Sequence, residues 1–179
     1  MSDVSTFLVP VDLNDCTSDV VQKASELAEV NGARVVLLHA VRPPDGVPAH
    51  VAVRDDDRAK RVDDLLVEEA EPRLDEHVQA LRDAGVDASR QIVIGEPVSA
   101  ILGATEELSP ELIVMGTHGR AGLSRLLLGS VADKVSRKAP CPVVTVRTEW
   151  RESCDAKSCD WCDKHVSPGA RSVAAESDG

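Results

Sequence analysis

A glycine-containing segment between an apolar run and a helical pattern constrains the fold of this chain more than any other feature. The apolar run Glu111-Leu112-Ile113-Val114-Met115 is of the kind that is buried in parallel sheets. Gly116 and Gly119 follow it, and after a spacer of nine residues Gly129-Ser130 precedes a helical pattern that begins at Val131. The segment is therefore predicted to connect a strand to a helix.

The backbone of such a connection suits an anion. Glycine has no Cβ and can take positive φ, so the loop can turn its N–H groups toward an anion, and the next helix offers its positive end. The spacing Gly-x2-Gly-x9-Gly-Ser is neither the dinucleotide fingerprint nor the Walker loop. Isolated glycines often only relieve crowding in turns, but three of them ahead of Ser130 favour a phosphate cradle.

Strand-like and helix-like segments alternate along residues 1–148. We expect strands at Thr6–Val11, Val35–Val41, Gln91–Ile94, Leu112–Met115 and Val143–Val146. Alternation of this kind predicts an α/β fold: an open five-stranded parallel sheet with helices on both faces. Ligands of such sheets bind at the carboxyl ends of the strands, where the strand order reverses.

Local signals place the helix ends and the connections. Thr17 or Ser18 is expected to cap the first helix, and Asn31-Gly32 to end it in a left-handed turn. Residues 42–57 are expected to form a loop that runs into the second helix. Pro72 interrupts the pattern of that helix, which predicts a kink or two abutting helices.

The glycine spacing resembles the ATP-binding branch of the universal stress protein family. The similarity extends to Ser124-Arg125-Leu126-Leu127-Leu128-Gly129-Ser130-Val131-Ala132 and to Ala139-Pro140-Cys141-Pro142-Val143-Val144, and covers residues 4–148. It implies a Rossmann-like nucleotide-binding domain over residues 1–148. Residues 149–179 form a short tail outside the resemblance.

The resemblance also implies which residues bind ATP, together with Mg or Mn. Asp12 is expected to contact the nucleoside, and main-chain groups of Val41 to meet adenine. From its position alone, Asp12 at the end of a strand can equally cap the following turn. Arg120 can offset phosphate charge, although a loop arginine is usually solvated. The full expected set is Pro10, Val11, Asp12, Val41, Met115, Gly116, Gly119, Arg120, Gly129, Ser130 and Val131.

Charge and hydropathy exclude some classes of partner. The chain carries 31 acidic and 20 basic residues, a formal net charge of −11, which argues against nucleic acids and anionic membranes as partners. No stretch approaches the ~18 apolar residues of a membrane-spanning helix, and no basic leader region opens the sequence. A cytoplasmic location is expected.

No catalytic constellation can be assembled from the sequence. His118 has no evident nucleophile or orienting carboxylate beside it and is interpreted as a loop residue. The chain is therefore expected not to be an enzyme, or at most to hydrolyse ATP slowly.

The tail contains a cluster of potential metal ligands. Cys154, Cys159, Cys162 and His165 lie within twelve residues, and thiolates with an imidazole are the usual ligands of a structural zinc. Free thiols, a Cys159/Cys162 redox pair and an iron–sulfur site remain as alternatives. The residues after 165 are expected to be disordered, and Cys16 and Cys141 to be buried small side chains.

The sequence thus predicts an ATP-binding regulatory protein that acts as a homodimer, with an unidentified protein partner. In proteins of the resembled family the last strand pairs with its symmetry mate, which implies a dimer contact along Val143–Val146. One alternative is a nucleotide-independent structural or zinc-dependent interaction protein. Another is a slow ATPase or phosphotransferase.

Overall fold

The fold is a parallel sheet between two pairs of helices. The computed structural model describes residues 4–13, 16–43, 52–55, 58–117 and 129–147. Five strands form the sheet: β1 (Thr6–Pro10), β2 (Arg34–Val41), β5 (Ala88–Ile94), β6 (Leu112–Gly116) and β7 (Val143–Val146). All pair in parallel, in the order β5-β2-β1-β6-β7. The predicted five-stranded parallel α/β fold is confirmed.

In the part of the chain that the structure describes, four helices cover the two faces of this sheet. They are α1 (Thr17–Asn31), α2 (Val62–Asp83), α3 (Pro97–Leu108) and α4 (Ser130–Lys138). Successive strand side chains alternate between two cores: Val9 packs with α1 and α2, whereas Leu8 packs with α3 and α4. Burial on both faces explains why the strands are continuous apolar runs rather than alternating ones.

The first helix ends as predicted but begins differently. Gly32 follows Asn31 with a φ of 62° and closes the helix in the left-handed conformation that glycine adopts at little cost. The capping position belongs to Cys16, whose side chain makes no capping hydrogen bond. The expectation that Thr17 or Ser18 is the cap was wrong, because both residues lie inside the first turn and are buried.

The second helix is continuous across its proline. α2 runs without a break from Val62 to Asp83 and includes Pro72, so the alternative of two abutting helices was wrong. A proline inside a helix frees the carbonyl four residues earlier, here that of Glu68. Pro72 is exposed, and water can therefore satisfy that carbonyl.

A hairpin replaces part of the expected loop. β3 (Ala52–Asp55) and β4 (Arg58–Arg61) pair antiparallel as a separate two-stranded sheet between β2 and α2. The prediction of a loop over residues 42–57 was wrong for Ala52–Asp55. Charged residues dominate both strands, so the hairpin has no apolar periodicity by which the sequence could indicate it.

The tail prediction cannot be compared with the fold, since residues 149–179 lie outside the described residues. Across the ranges that are described, none of the helices has the length and apolar character needed to cross a bilayer. Cys16 is buried as predicted, and Cys141 is partly buried; within the described residues neither cysteine forms a disulfide. Burial raises the pKa of the Cys141 thiol, which keeps it protonated at neutral pH.

Candidate functional site

Three strand ends that the sequence singled out lie on one edge of the sheet. β1 lies between β2 and β6 and is parallel to both. The chain proceeds from β1 to β2 and β5 on one side, then crosses to β6 and β7 on the other, so the strand order reverses between β1 and β6. A ligand crevice forms at such a reversal. Pro10, Val41 and Gly116 end the three strands at this edge.

Asp12 lies in the turn that leaves β1. It is half-buried, whereas Val11 and Leu13 on either side are only 8% and 4% exposed. The Val11 N–H donates to the Leu38 carbonyl at 2.8 Å, which extends the pairing with β2 by one residue. Leu13 has a φ of 55°, in the left-handed region that residues other than glycine rarely enter. The backbone around Asp12 therefore has an unusual, tightly fixed course.

Two side chains from other elements contact this turn. His39 of β2 places Nδ1 2.7 Å from the Val11 carbonyl oxygen. Arg73 of α2 donates a guanidinium hydrogen bond to the Leu13 carbonyl. The carbonyls before and after Asp12 are thus both held by side chains.

Val41 presents main chain rather than side chain at the edge. Its side chain is buried in the core with α1 and α2, and its carbonyl accepts a hydrogen bond from the Gly95 N–H at 2.9 Å. A carbonyl oxygen has two lone pairs, so one acceptor site remains. Gly95 has a φ of 154°, which only glycine adopts readily. Gly95 therefore fixes the end of β2 on its β5 side.

Backbone hydrogen bonds close the base of the glycine-containing loop. Gly116 pairs with Val146 in the β6–β7 register, and the Thr117 N–H donates to the Val146 carbonyl at 2.9 Å. The Thr117 carbonyl in turn accepts the Gly129 N–H at 2.6 Å. The start of α4 is thereby joined to the end of β6, so Gly116, Gly129 and Ser130 come together although the sequence separates them.

The role expected of Gly129 needs a correction. Gly129 caps α4 with φ −56° and ψ 151°, a conformation open to other residues, so the positive φ invoked for glycines of this loop does not apply to it. What distinguishes glycine at this position is the absent Cβ, so Gly129 places no side chain of its own over the start of α4. Ser130, the first residue of α4, is exposed, and the capping residue Gly129 has no side chain with which to bond the helix start.

The charge at this helix start is mixed. The first N–H groups of a helix have no partner within it and attract anions. Asp133 lies in the first turn of α4, where its carboxylate opposes that attraction. Arg137 pairs with Asp133 at 2.9 Å, which offsets part of the negative charge.

Four of the expected residues have side chains directed into the cores. Pro10 is buried in β1 and Val11 packs against α1 and α2. Met115 packs against α3 and α4, and Val131 lies partly buried beside that cluster. Pro10, Val11 and Met115 are therefore expected to meet a ligand through main-chain groups.

The remaining expected site residues lie outside the described residues. They are Gly119 and Arg120 of the loop and the tail set Cys154, Cys159, Cys162 and His165, and His118 also lies outside. Among the residues that the structure describes, no three His, Cys, Asp or Glu side chains are arranged to hold a metal ion.

A histidine that the sequence did not single out lies on α2 one turn after Arg73. Burial, together with the positive charge of Arg73, lowers the pKa of His77 to about 4. Its Nδ1 is buried without a hydrogen-bond partner. Burial also raises the pKa of the neighbouring Glu76, an effect that Arg73 partly opposes. His77 is therefore neutral at physiological pH.

Sequence reasoning missed His39, Arg73, Gly95 and Thr117 at this edge. His39 gave a usable signal, since it is a polar residue near the end of an apolar strand run, and Gly95 precedes Glu96-Pro97, which marks a turn. Arg73 gave no such signal in the sequence, because it lies among the charged residues of a helix. The carbonyl that it contacts, that of Leu13, lies 60 residues earlier in the chain.

The strand order and the edge at its reversal define an α/β protein of the doubly wound class. The model of the universal stress protein family matches residues 4–147. The chain belongs to the universal stress protein family.

Known relatives agree with this assignment. Universal stress protein MJ0531 of Methanocaldococcus jannaschii is 31% identical over 147 residues, which cover 81% of this chain and 83% of that protein. Protein MJ0577 of the same organism has a solved structure that matches with a TM-score of 0.67 and 23% identity, covering 82% of this chain and 98% of that one. A universal stress protein crystallised in complex with cAMP matches with a TM-score of 0.54 and 26% identity, over 83% of this chain and all of that one (100%).

Proposed function

We propose that this protein binds ATP at the carboxyl edge of its sheet and acts as a nucleotide-responsive regulator. One observation carries the proposal: the Thr117–Gly129 hydrogen bond of 2.6 Å joins the uncapped start of α4 to the strand end beside Asp12. A nucleoside-contacting carboxylate and a phosphate-binding helix start then share one crevice. The cAMP complex of a related protein supports a nucleotide as the ligand.

Each part of the edge suits a part of ATP. The Asp12 carboxylate can accept hydrogen bonds from the nucleoside, and the remaining acceptor site on the Val41 carbonyl can accept one from adenine. Main-chain N–H groups at Gly129, Ser130 and Val131, with those of the loop from Gly116 through Gly119 to Arg120, would receive the phosphates. In a protein of net charge −11 these local donors must supply the attraction, and a Mg or Mn ion on ATP would neutralise further charge.

The outermost strand beside β6 suggests how two copies of the protein form a dimer. β7 is an edge strand with Val144 36% exposed and Thr145 also exposed. An open strand with an exposed apolar side chain readily pairs with another strand. The proposed homodimer joins two copies of β7, so each tail, with its proposed zinc ligands, would start beside the interface.

Isothermal titration calorimetry with Mg-ATP, AMP and cAMP tests the proposed function. ATP should bind more tightly than AMP, because the two further phosphates meet the start of α4. Equal affinities for ATP and AMP would remove the phosphate assignment but keep a nucleoside site. No binding of any of the three would favour the nucleotide-independent interaction protein instead.

A further inference from the structure

The turn that carries Asp12 adopts a conformation that its own sequence does not favour. Leu13, the next residue, has a φ of 55°, where the Cβ of an ordinary residue crowds the backbone. Its side chain is 4% exposed and belongs to the core with α1 and α2. A strained residue of this kind persists only when its surroundings fix it. The contacts around Asp12 should therefore account for its orientation.

Two of the contacts at this turn are side-chain hydrogen bonds to the carbonyls of Val11 and Leu13, the residues on either side of Asp12. The Val11 carbonyl can only accept, so at 2.7 Å the His39 Nδ1 must carry the hydrogen and donate it. The Leu13 carbonyl accepts a hydrogen bond from the Arg73 guanidinium. The two donors come from different elements, His39 from strand β2 and Arg73 from helix α2. Together they fix the peptide group that precedes Asp12 and the one that follows Leu13, and so hold the ends of the two-residue segment Asp12–Leu13.

We propose that His39 and Arg73 are positioning residues that orient the Asp12 carboxylate toward a bound nucleoside. They act through the Val11 and Leu13 carbonyls and touch no ligand themselves. This inference rests on the proposed ATP site and adds two side chains to it from outside the expected motif. Loss of either donor frees the Leu13 turn to relax and moves the carboxylate away from its working position.

The same helix provides a matched control. Arg82, also on α2, donates from Nε at 2.9 Å and from its terminal nitrogen at 2.7 Å to the Ala88 carbonyl. The chemistry is the same as that of Arg73, an arginine holding a backbone carbonyl. Ala88, however, begins β5 at the opposite edge of the sheet from Asp12. Arg82→Ala should therefore disturb the fold about as much as Arg73→Ala without affecting the site.

The first experiment measures ATP affinity by calorimetry. Arg73→Ala should weaken ATP binding about tenfold, which corresponds to the loss of one charged hydrogen bond. Arg82→Ala should leave the affinity for ATP unchanged. In an Asp12→Asn background, Arg73→Ala should have little further effect, because its route to the ligand has been removed. If Arg73→Ala reduced ATP affinity equally in the wild-type and Asp12→Asn backgrounds, the inference would be overturned. An unchanged affinity in the single Arg73→Ala variant would overturn it as well.

A conservative pair tests His39 in the same way. Asparagine places its amide nitrogen near the position of a histidine Nδ1, so His39→Asn retains the donor to Val11 and His39→Leu removes it. ATP affinity should be nearly native in the first variant and several-fold weaker in the second. Equal losses in the two variants would show that the hydrogen bond is not what matters.

A measurement without nucleotide separates this inference from the proposed function. If the wild-type protein binds no ATP, the proposed function fails, but NMR still reports on the turn. Arg73→Ala should change the amide shifts and speed the hydrogen exchange of Val11, Asp12 and Leu13, whereas Arg82→Ala should change those near Ala88. Unaltered amides at residues 11–13 in Arg73→Ala would refute the positioning role whether or not ATP binds.

Discussion

The N–H of Gly129 donates to the carbonyl of Thr117 across a 2.6 Å hydrogen bond, and this contact joins the start of α4 to the end of the interior strand β6. The proposed phosphate site depends on it, because it brings the start of α4 to the carboxyl end of β6. A substitution that blocks this helix start without disturbing the bond therefore tests the site directly.

Gly129→Val is such a substitution. The φ of −56° and ψ of 151° at this position are accessible to valine, so the fold should persist. The two new methyl groups would cover the helix start, and ATP affinity should fall at least tenfold, about 1.4 kcal/mol, as measured by calorimetry.

Gly103→Ala serves as the control for that prediction. Gly103 lies within α3, is exposed, and an added Cβ there would meet nothing within 4 Å. The variant should bind ATP normally and unfold with a free energy about 0.5–1 kcal/mol higher than wild type, because alanine favours helix. If both glycine variants lost affinity equally, the effect at Gly129 would not be local to the site.

Val144→Lys should convert the proposed dimer to monomers. A lysine on an edge strand places charge where the partner strand would pack, and light scattering after size-exclusion chromatography reports the mass. Val30→Lys is the comparison, since Val30 is 87% exposed and lies on helix α1 rather than on strand β7. A dimer that persists in Val144→Lys would place the interface on another surface.

His77 should make stability depend on pH between about 6.5 and 4. Its pKa is lowered to about 4 in the folded protein, so in this window the unfolded chain binds the extra proton and the native state does not. Stability is therefore lost as the pH falls from 6.5 toward 4, by at most about 3 kcal/mol for this group.

The measurement for His77 compares two proteins. Carboxylates also respond to acid, so urea unfolding of wild type and His77→Gln at several pH values isolates the contribution of His77 as a difference. The glutamine variant should lose less stability on acidification. Parallel pH curves for the two proteins would contradict the prediction.

One zinc per chain is expected in the tail, held by Cys154, Cys159, Cys162 and His165. Elemental analysis of protein purified without added metal should give a stoichiometry near one in the wild type, and Cys159→Ser should abolish it. Cys141→Ser, which alters a cysteine outside the tail, should retain the metal. Chelation should release zinc with little change in ATP affinity, and substoichiometric zinc in the wild type would leave a tail with free thiols.

Features that depend on neighbouring residues were predictable from the sequence. The strand Val143–Val146 and the glycine stop of α1 occur where the local pattern placed them. Apolar runs, helical spacing and the left-handed preference of glycine act within a few residues of chain, so the sequence displays them directly.

Features that depend on contacts between residues distant in the sequence were not predictable from it. The β3–β4 hairpin forms by pairing of charged segments, and the Arg73–Leu13 contact joins residues 60 apart. In the candidate site, the sequence predicted the strand ends at Asp12, Val41 and Gly116. It did not predict that His39 and Arg73 hold the Asp12 turn, because only the folded chain brings them next to it.

The Arg82–Ala88 contact has a consequence for how large an assembly this protein can build. The Val35 N–H donates a hydrogen bond to the Asp87 carbonyl, which therefore points toward β2. Successive carbonyls of a strand point to opposite sides, so the Ala88 carbonyl points away from β2. Arg82 occupies that oxygen with two hydrogen bonds, leaving it no capacity to receive a strand from another molecule. Because this oxygen is occupied, the start of β5 is less able to receive another strand, so the dimer proposed through β7 would be less prone to extend into fibres from this side of the sheet.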